Sequence, residues 1–393
     1  TLAEPESVDA GWILSKIAYT EGNLDRWAES QKSDNRAHQI AIHQSNARLA
    51  AWSLGRALQP ALHAGDLDEA LYYYEQSMAH IAAADDVDVE THIYFCGSLI
   101  YLILGDGEQA RDLSERALES AHKSRSINRI RSALIGQSLV AYAFGSWDKA
   151  IQRIEEFEKT PGFELGPIGQ AIRMAVESEA GSTEYKDSSF DAVIAASKAN
   201  VERKRFEPFA GSFILASCLL RNGINTGDER AIDASDELTQ SMIEYPPSTA
   251  SEQGIIAKFK SVRDLMVANT PIDDVNVFQS ASRLEFVDWT NGVYWSPMIA
   301  QGRIFGLNAK VQGDVVTAAV EFTRAIEECR KAGYKPELAA TCVDYAQMLI
   351  ERGAEADAEK ITALQDEAIA ITQKLGMKPL LERVLAQREM MKA

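Results

Sequence analysis

Only four cysteines occur in these 393 residues, Cys96, Cys218, Cys329 and Cys342, and they form neither a C-x-x-C pair nor a dense, even framework. That spacing excludes a disulfide-stapled secreted fold and a zinc ribbon, and it points to a reducing cytoplasm. Eleven prolines and 24 glycines are too few for a collagen-like or low-complexity polymer. Long apolar runs are also missing. The stretches Ile93 to Leu104 and Phe209 to Leu220 fall short of the ~20 residues a membrane span requires, so no transmembrane helix is predicted. Positive charge is scarce: 40 Lys and Arg against 58 Asp and Glu leave a net charge of −18. Such a surface repels phosphate backbones and anionic lipid heads, so neither nucleic acid nor membrane is an expected partner. The chain opens Thr1-Leu2-Ala3-Glu4-Pro5, without methionine, basic n-region or apolar h-region. It reads as an internal piece of a longer protein with no secretory signal.

Catalytic signatures are missing as well. No G-x-x-x-x-G-K-[ST] phosphate loop occurs, and Gly105-Asp106-Gly107 lacks both a third glycine and a preceding strand. There is no G-x-S-x-G elbow. The six histidines, His38, His43, His63, His80, His92 and His122, crowd the first third of the chain, yet none pairs at the i, i+4 spacing of a helical zinc site. The carboxylate pairs Asp85-Asp86, Glu155-Glu156 and Glu327-Glu328 sit in charged helices, where solvated faces are the ordinary role. The sequence therefore predicts no enzyme, no cofactor and no metal site.

What is present is a repeat. Gly65-Asp66-Leu67-Asp68-Glu69-Ala70 recurs as Gly105-Asp106-Gly107-Glu108-Gln109-Ala110 and as Gly145-Ser146-Trp147-Asp148-Lys149-Ala150, at offsets of 40. Weaker copies begin at Gly22, Gly227 and Gly313, with a degenerate one at Ser189. Glycine ends one helix in a left-handed turn, the next residue caps the following helix, and the alanine marks a tight crossing. Apolar residues recur at three and four on both sides of the knee, as in Ala110, Leu113, Ala117 and Leu118, which is helical periodicity. Prolines 161, 167, 208, 246, 247, 271, 336 and 379 fall between helices. With 46% hydrophobic residues the chain can bury a large core. The predicted fold is all-α: antiparallel helix pairs stacked with a period of about 40, in which each pair buries its apolar face against its neighbours. It is read as one array, with N-terminal repeats at 1–245, irregular units at 246–290, and C-terminal repeats with a capping helix at 291–393.

Aligning the knee alanines places Tyr94 and Tyr101, then Phe305-Gly306 with Phe322 and Ala325, at bulky and small positions that resemble the tetratricopeptide (TPR) pattern. That resemblance implies a right-handed superhelix. The departures are a longer period, Trp27 where the first copy should carry alanine, and loss of the signature between Glu244 and Asp288. From about Val293 onward the match sharpens. Ala332-Gly333-Tyr334-Lys335-Pro336-Glu337-Leu338-Ala339, Asp344-Tyr345-Ala346, Leu349-Ile350-Glu351-Arg352-Gly353, Glu367-Ala368-Ile369-Ala370-Ile371 and Leu375-Gly376-Met377-Lys378-Pro379 follow one another. This resembles the C-terminal TPR region of large bacterial signalling proteins, which follows a P-loop ATPase module and accompanies a class III adenylate or guanylate cyclase domain or a LuxR-type helix-turn-helix. The resemblance implies a regulatory segment that receives a signal from a protein, a peptide, an attached domain or a small-molecule inducer.

Counting back from each knee gives the candidate binding residues of the concave face: Trp52, Gln59, His63, His92, Phe95, Leu99, Ile135, Leu139, Tyr142, Arg303, Leu307 and Lys310. The leading function is non-catalytic interaction along that face; the alternative is inducer sensing within it. Two further expectations concern aromatics. Tyr72-Tyr73-Tyr74 must splay around a helix, with one or two rings inside and another exposed, and Trp289 to Trp295 should begin the helix that precedes the Gly313 knee. The basic groups Lys123, Arg125, Arg129, Arg131 and Arg203-Lys204-Arg205 are read as helix-end or solvated charges.

Overall fold

The computed structural model describes residues 4–23, 26–63, 66–160, 167–181, 195, 206–244, 250–272, 287–288, 292–293, 297–353 and 355–391. Among them the chain is all-α apart from one ribbon of two two-residue strands, and consecutive helices pack against one another in pairs. The helices are α1 (Val8–Asn23), α2 (Trp27–His43), α3 (Ala47–His63), α4 (Leu67–Ala84), α5 (Val87–Leu104), α6 (Gly107–Ser124), α7 (Ile127–Ala143), α8 (Trp147–Glu158) and α9 (Pro167–Glu179). There follow α10 (Phe206–Thr226), α11 (Glu229–Glu244), α12 (Ala250–Ala268), α13 (Pro297–Val311), α14 (Val315–Ala332), α15 (Lys335–Arg352), α16 (Ala358–Leu375) and α17 (Lys378–Met390).

The knees behave as their residues dictate. Gly105, Gly145, Gly227 and Gly313 all have φ between +72° and +80°. Asp66 Oδ1 accepts the Glu69 N–H at 2.8 Å, and Asp314 Oδ1 accepts the Thr317 N–H at 3.0 Å, so each satisfies a donor that the helix start leaves open. The knee alanines Ala70, Ala110, Ala150 and Ala318 have no exposed surface, and Ala231 has 1%. In α8 the buried residues Trp147, Ala150, Ile154 and Phe157 form one stripe at helical spacing. The tyrosine triplet splays as its helix requires, with Tyr73 and Tyr74 buried and Tyr72 exposed.

Three features differ from the sequence reading. Of the stretch expected to begin a helix, Trp289 to Trp295, only Gly292 and Val293 are among the described residues; they form β2 (Gly292–Val293) of an antiparallel ribbon with β1 (Val287–Asp288), and the helix starts at Pro297. Proline's fixed φ suits the first helical position, so the start moves there. The second is α5. It is long and apolar enough to cross a membrane by length and composition, and 72% of that window is buried within the protein. Third, Arg129 and Arg131 lie in the first half of α7 rather than at a helix C-terminus.

The chain divides into two compact units. Unit 1 comprises residues 1–104, 108–140 and 281–294, and unit 2 comprises 105–107, 141–280 and 295–393. In unit 1, Ala41, Leu49 and Ala50 pack with Val8 and Trp12. In unit 2, Leu265, Ile272 and Ile304 form a core with Phe305, Leu307 and Val311, and the rings of Phe322 and Tyr345 stack at 5.3 Å.

Unit 2 also contains contacts that a simple stack of hairpins lacks. Two similar turns, Gly333-Tyr334-Lys335-Pro336 and Gly376-Met377-Lys378-Pro379, open α15 and α17. Both glycines are left-handed, and the Tyr334 and Met377 N–H groups donate to Cys329 O and Thr372 O at 3.0 and 2.9 Å. These turns meet earlier ones. A Cβ on Gly105 would lie 3.1 Å from Ala332 Cβ, one on Gly145 would lie 2.8 Å from Leu375 Cδ1, and one on Gly181 would lie 3.0 Å from Lys378 Cβ. Phe144 stacks on Tyr334 at 4.7 Å with 15° between the ring planes.

Candidate functional site

In unit 1 the first helices α1, α3 and α5 pack side by side, with α2 and α4 as the second helices of their hairpins. The forty-residue period therefore puts residues 12, 52 and 92 at equivalent places on neighbouring helices. They are Trp12, Trp52 and His92, and their rings form a ladder. The Trp12 and Trp52 centroids are 6.3 Å apart, and Trp52 and His92 are 5.0 Å apart. Both indoles are half-buried. Arg48 lies 5.3 Å over the Trp12 ring, and Arg129 from α7 lies 5.3 Å over Trp52. Acidic partners hold these cations: Arg48 pairs with Asp86, and Arg129 Nε is 4.0 Å from Asp88 Oδ1. Arg129 thus lies at a helix end, in the first turn of α7, but its guanidinium is drawn to an indole face rather than to a C-terminal dipole or a solvated loop.

Burial sets the electrostatics of this face. His92 is held well below the ordinary imidazole range, first by desolvation and then by Arg129 and Arg56, so it is neutral at pH 7. Cys96, 3.8 Å from the His92 ring nitrogens, is pushed well up by burial and stays a thiol. Deeper in the unit, Asp34 is fully buried; it accepts the Ser15 hydroxyl at Oδ1 (3.3 Å), while Oδ2 has no hydrogen-bond partner among the described residues. Desolvation raises its pKa to about 8, against the opposing pull of Arg56. What the ladder offers is π-faces and guanidinium groups at a half-exposed surface, which is recognition chemistry rather than acid–base chemistry.

In unit 2 the corresponding helices carry a buried charge network. Arg221 Nη1 of α10 meets Glu179 Oε1 of α9 at 3.1 Å. Arg303 of α13 donates from Nε to Glu337 Oε1 at 2.7 Å and from Nη1 to Asp344 Oδ2 at 3.0 Å, both on α15. Arg383 of α17 donates to Asp344 Oδ1 at 2.7 Å and to Asn225 Oδ1 at 3.3 Å. Glu337 Oε2 is buried without a hydrogen-bond partner among the described residues. Burial raises Glu179 against the pull of Arg221, whereas Arg383 and Arg303 together hold Asp344 below the usual carboxylate range despite its burial. Among the described residues no three His, Cys, Asp or Glu side chains are grouped to hold a metal ion.

The twelve residues proposed from sequence separate accordingly. Trp52 and His92 fall in the ladder. Phe95 is buried in unit 1, where its ring fills the space a Cβ of Gly136 would take, and Leu99 has no exposed surface. Ile135 is half-buried and Leu139 buried. Gln59 and His63 belong to α3, with side chains outside the described residues. In unit 2, Tyr142 is half-buried within the electrostatic reach of Arg221 and Glu179; Arg303 is the hub of the charge network; Leu307 belongs to the apolar core; and Lys310 Nζ pairs with Glu351 at 2.9 Å. Sequence reasoning missed Trp12, Arg48, Arg129, Glu179, Arg221 and Arg383. For Trp12 the signal was available as the offset of 40 from Trp52. For Glu179 and Arg221 it was not, because charged residues on helices usually read as solvated.

No family model matches the chain, and no curated protein matches it. Among solved structures, the TPR domain of P58(IPK) is 14% identical, with 97% of this chain and 99% of that one covered and a TM-score of 0.22. A circular tandem repeat protein with novel repeat topology and enhanced subunit contact surfaces is 16% identical, with 97% and 98% covered and a TM-score of 0.20.

Proposed function

We propose that this chain is a non-catalytic helical-repeat interaction segment that binds a protein or peptide along the first helices of unit 1. The observation that carries the reading is the Trp12–Trp52–His92 ladder, whose two indoles are half-buried above a buried imidazole and flanked by the Arg48 and Arg129 guanidiniums. Tryptophan and arginine are among the side chains that most often dominate protein interfaces, tryptophan through its large rigid ring and arginine through a planar fork of donors that also stacks on aromatic faces. The C-terminal resemblance supports a finer reading, in which the segment receives a signal for a larger bacterial ATPase, cyclase or transcriptional regulator. Four buried free thiols support a reducing, cytoplasmic location.

The test is a paired capture from native cells with the wild-type segment and a Trp52→Ala/Arg129→Ala variant of unchanged circular dichroism. Each captured protein is quantified by mass spectrometry. At least one should fall about tenfold or more on the variant, since a central tryptophan or arginine at an interface is worth roughly 2 kcal/mol or more. If every captured protein is recovered equally on both, the ladder is not the binding face. The intact mass of the native protein reads the finer proposal: a chain close to 43.2 kDa would show that no ATPase or cyclase module is attached.

A further inference from the structure

The charge network of unit 2 depends on a helix that returns from the far end of the chain. Helix α17 lies against α15 and α16, its neighbours in sequence, and also against α9 and α10. Its buried residues Leu380, Val384 and Gln387 form one stripe, and Gln387 Nε2 donates to Gln347 Oε1 at 2.9 Å. Arg383 joins the two sides, bonding Asp344 of α15 and Asn225 of α10, which lies 158 residues earlier. The turn before α17 seats Lys378 and Pro379 on Gly181, just beyond α9.

Charge counting gives this contact a specific character. With α17 in place, Arg221, Arg303 and Arg383 face Glu179, Glu337 and Asp344. Without it, among the described residues, two arginines serve three carboxylates, and Asp344, 4% exposed with α17 in place, shares Arg303 with Glu337. An uncompensated carboxylate in a buried site is strongly disfavoured, so the vacated groove attracts a cation. A guanidinium fits best, because Asp344 Oδ1 and Asn225 Oδ1 are two acceptors that only a forked donor meets together. Arg383 itself is 25% exposed, more than any carboxylate in the network, so the arginine sits at the rim of the site.

We propose that α17 is an intramolecular occupant of a helix-binding groove formed by α9, α10 and α15, and that an amphipathic partner helix presenting an arginine at the place of Arg383 can displace it. The groove is a docking site held closed by the chain's own last helix. This does not rest on the unit 1 ladder, and either reading can fail alone.

The probe is a fluorescein-labelled peptide of residues 376–391, titrated by anisotropy against the full chain. In the wild-type chain the tethered α17 competes, and the apparent Kd is raised by the inverse of the open fraction. A Leu380→Ala/Val384→Ala chain loosens the tethered helix and leaves the groove intact, so it should bind the peptide about tenfold tighter or more. A peptide carrying Arg383→Gln should bind that chain about tenfold more weakly or worse. The proposal is overturned if the loosened chain binds no better than wild type, or if the glutamine peptide binds as well as the arginine one. Should the double variant fail to fold, an Arg383→Gln chain replaces it. If that chain also unfolds as a whole, α17 is part of the indivisible core and the proposal is wrong.

Discussion

Gly145 and Gly313 have the same local role, a left-handed residue between two helices, at φ +74° and +80°. Their surroundings differ. A Cβ on Gly313 would meet nothing within 4 Å among the described residues, whereas one on Gly145 would lie 2.8 Å from Leu375 Cδ1, 3.2 Å from Cδ2 and 3.4 Å from Pro336 Cδ. Replacing either glycine by alanine costs the left-handed backbone penalty, roughly 1–2 kcal/mol. At Gly313 nothing is added. At Gly145 the new methyl overpacks the seam between α7–α8 and the start of α15, which adds about 1–3 kcal/mol, because the proline cannot yield and the leucine must change rotamer. Gly145→Ala should therefore cost about 2–4 kcal/mol and Gly313→Ala about 1–2 kcal/mol. Urea unfolding followed by far-ultraviolet circular dichroism measures both. A double-mutant cycle with Leu375→Ala isolates the contact: the cost of Gly145→Ala should shrink by about 1 kcal/mol or more once the leucine methyls are gone. Equal costs at the two glycines, or a cycle with no coupling, would refute the seam as a packed contact.

Two further predictions concern buried charge. Asp34 holds its proton up to about pH 8 when folded, against 3.8 for an ordinary aspartate, so the folded state binds more protons in that window and stability falls as pH rises from about 4 to about 8. Asp34→Asn should flatten that slope in denaturation midpoints measured at several pH values; an unchanged slope would mean that Asp34 ionises normally. Arg303→Met leaves Glu337 and Asp344 buried with less compensation and should cost roughly 3–5 kcal/mol. A thermal shift of only a degree or two would show that water, not Arg303, satisfies the carboxylates.

Much of the fold was readable because a repeat is written locally. Gly105 and Gly145 can turn left-handed, Asp66 and Asp314 can cap, and Ala70, Ala110, Ala150 and Ala318 can fit a tight crossing, each through properties of a few adjacent residues. The same period made Trp52 and His92 readable as one face. Trp12 escaped because the first knee carries Trp27 in place of alanine, which broke the counting. Trp289 lies outside the described residues, but within the stretch read as a helix start Gly292–Val293 forms a ribbon strand, and the helix starts at Pro297.

Amino-acid order by itself thus determined the helices, their pairing into hairpins and the spacing that aligns equivalent positions on neighbouring first helices, since all of these follow from interactions within about forty residues. Only the tertiary structure decided that Phe144 stacks on Tyr334, that Gly145 packs on Leu375 and that Arg383 reaches Asn225. A hairpin array in which each pair touches only its sequence neighbours contains none of these contacts. Whether a charged side chain such as Arg303 or Glu179 is solvated or buried is settled by which distant helix covers it, and helical periodicity carries no information about that.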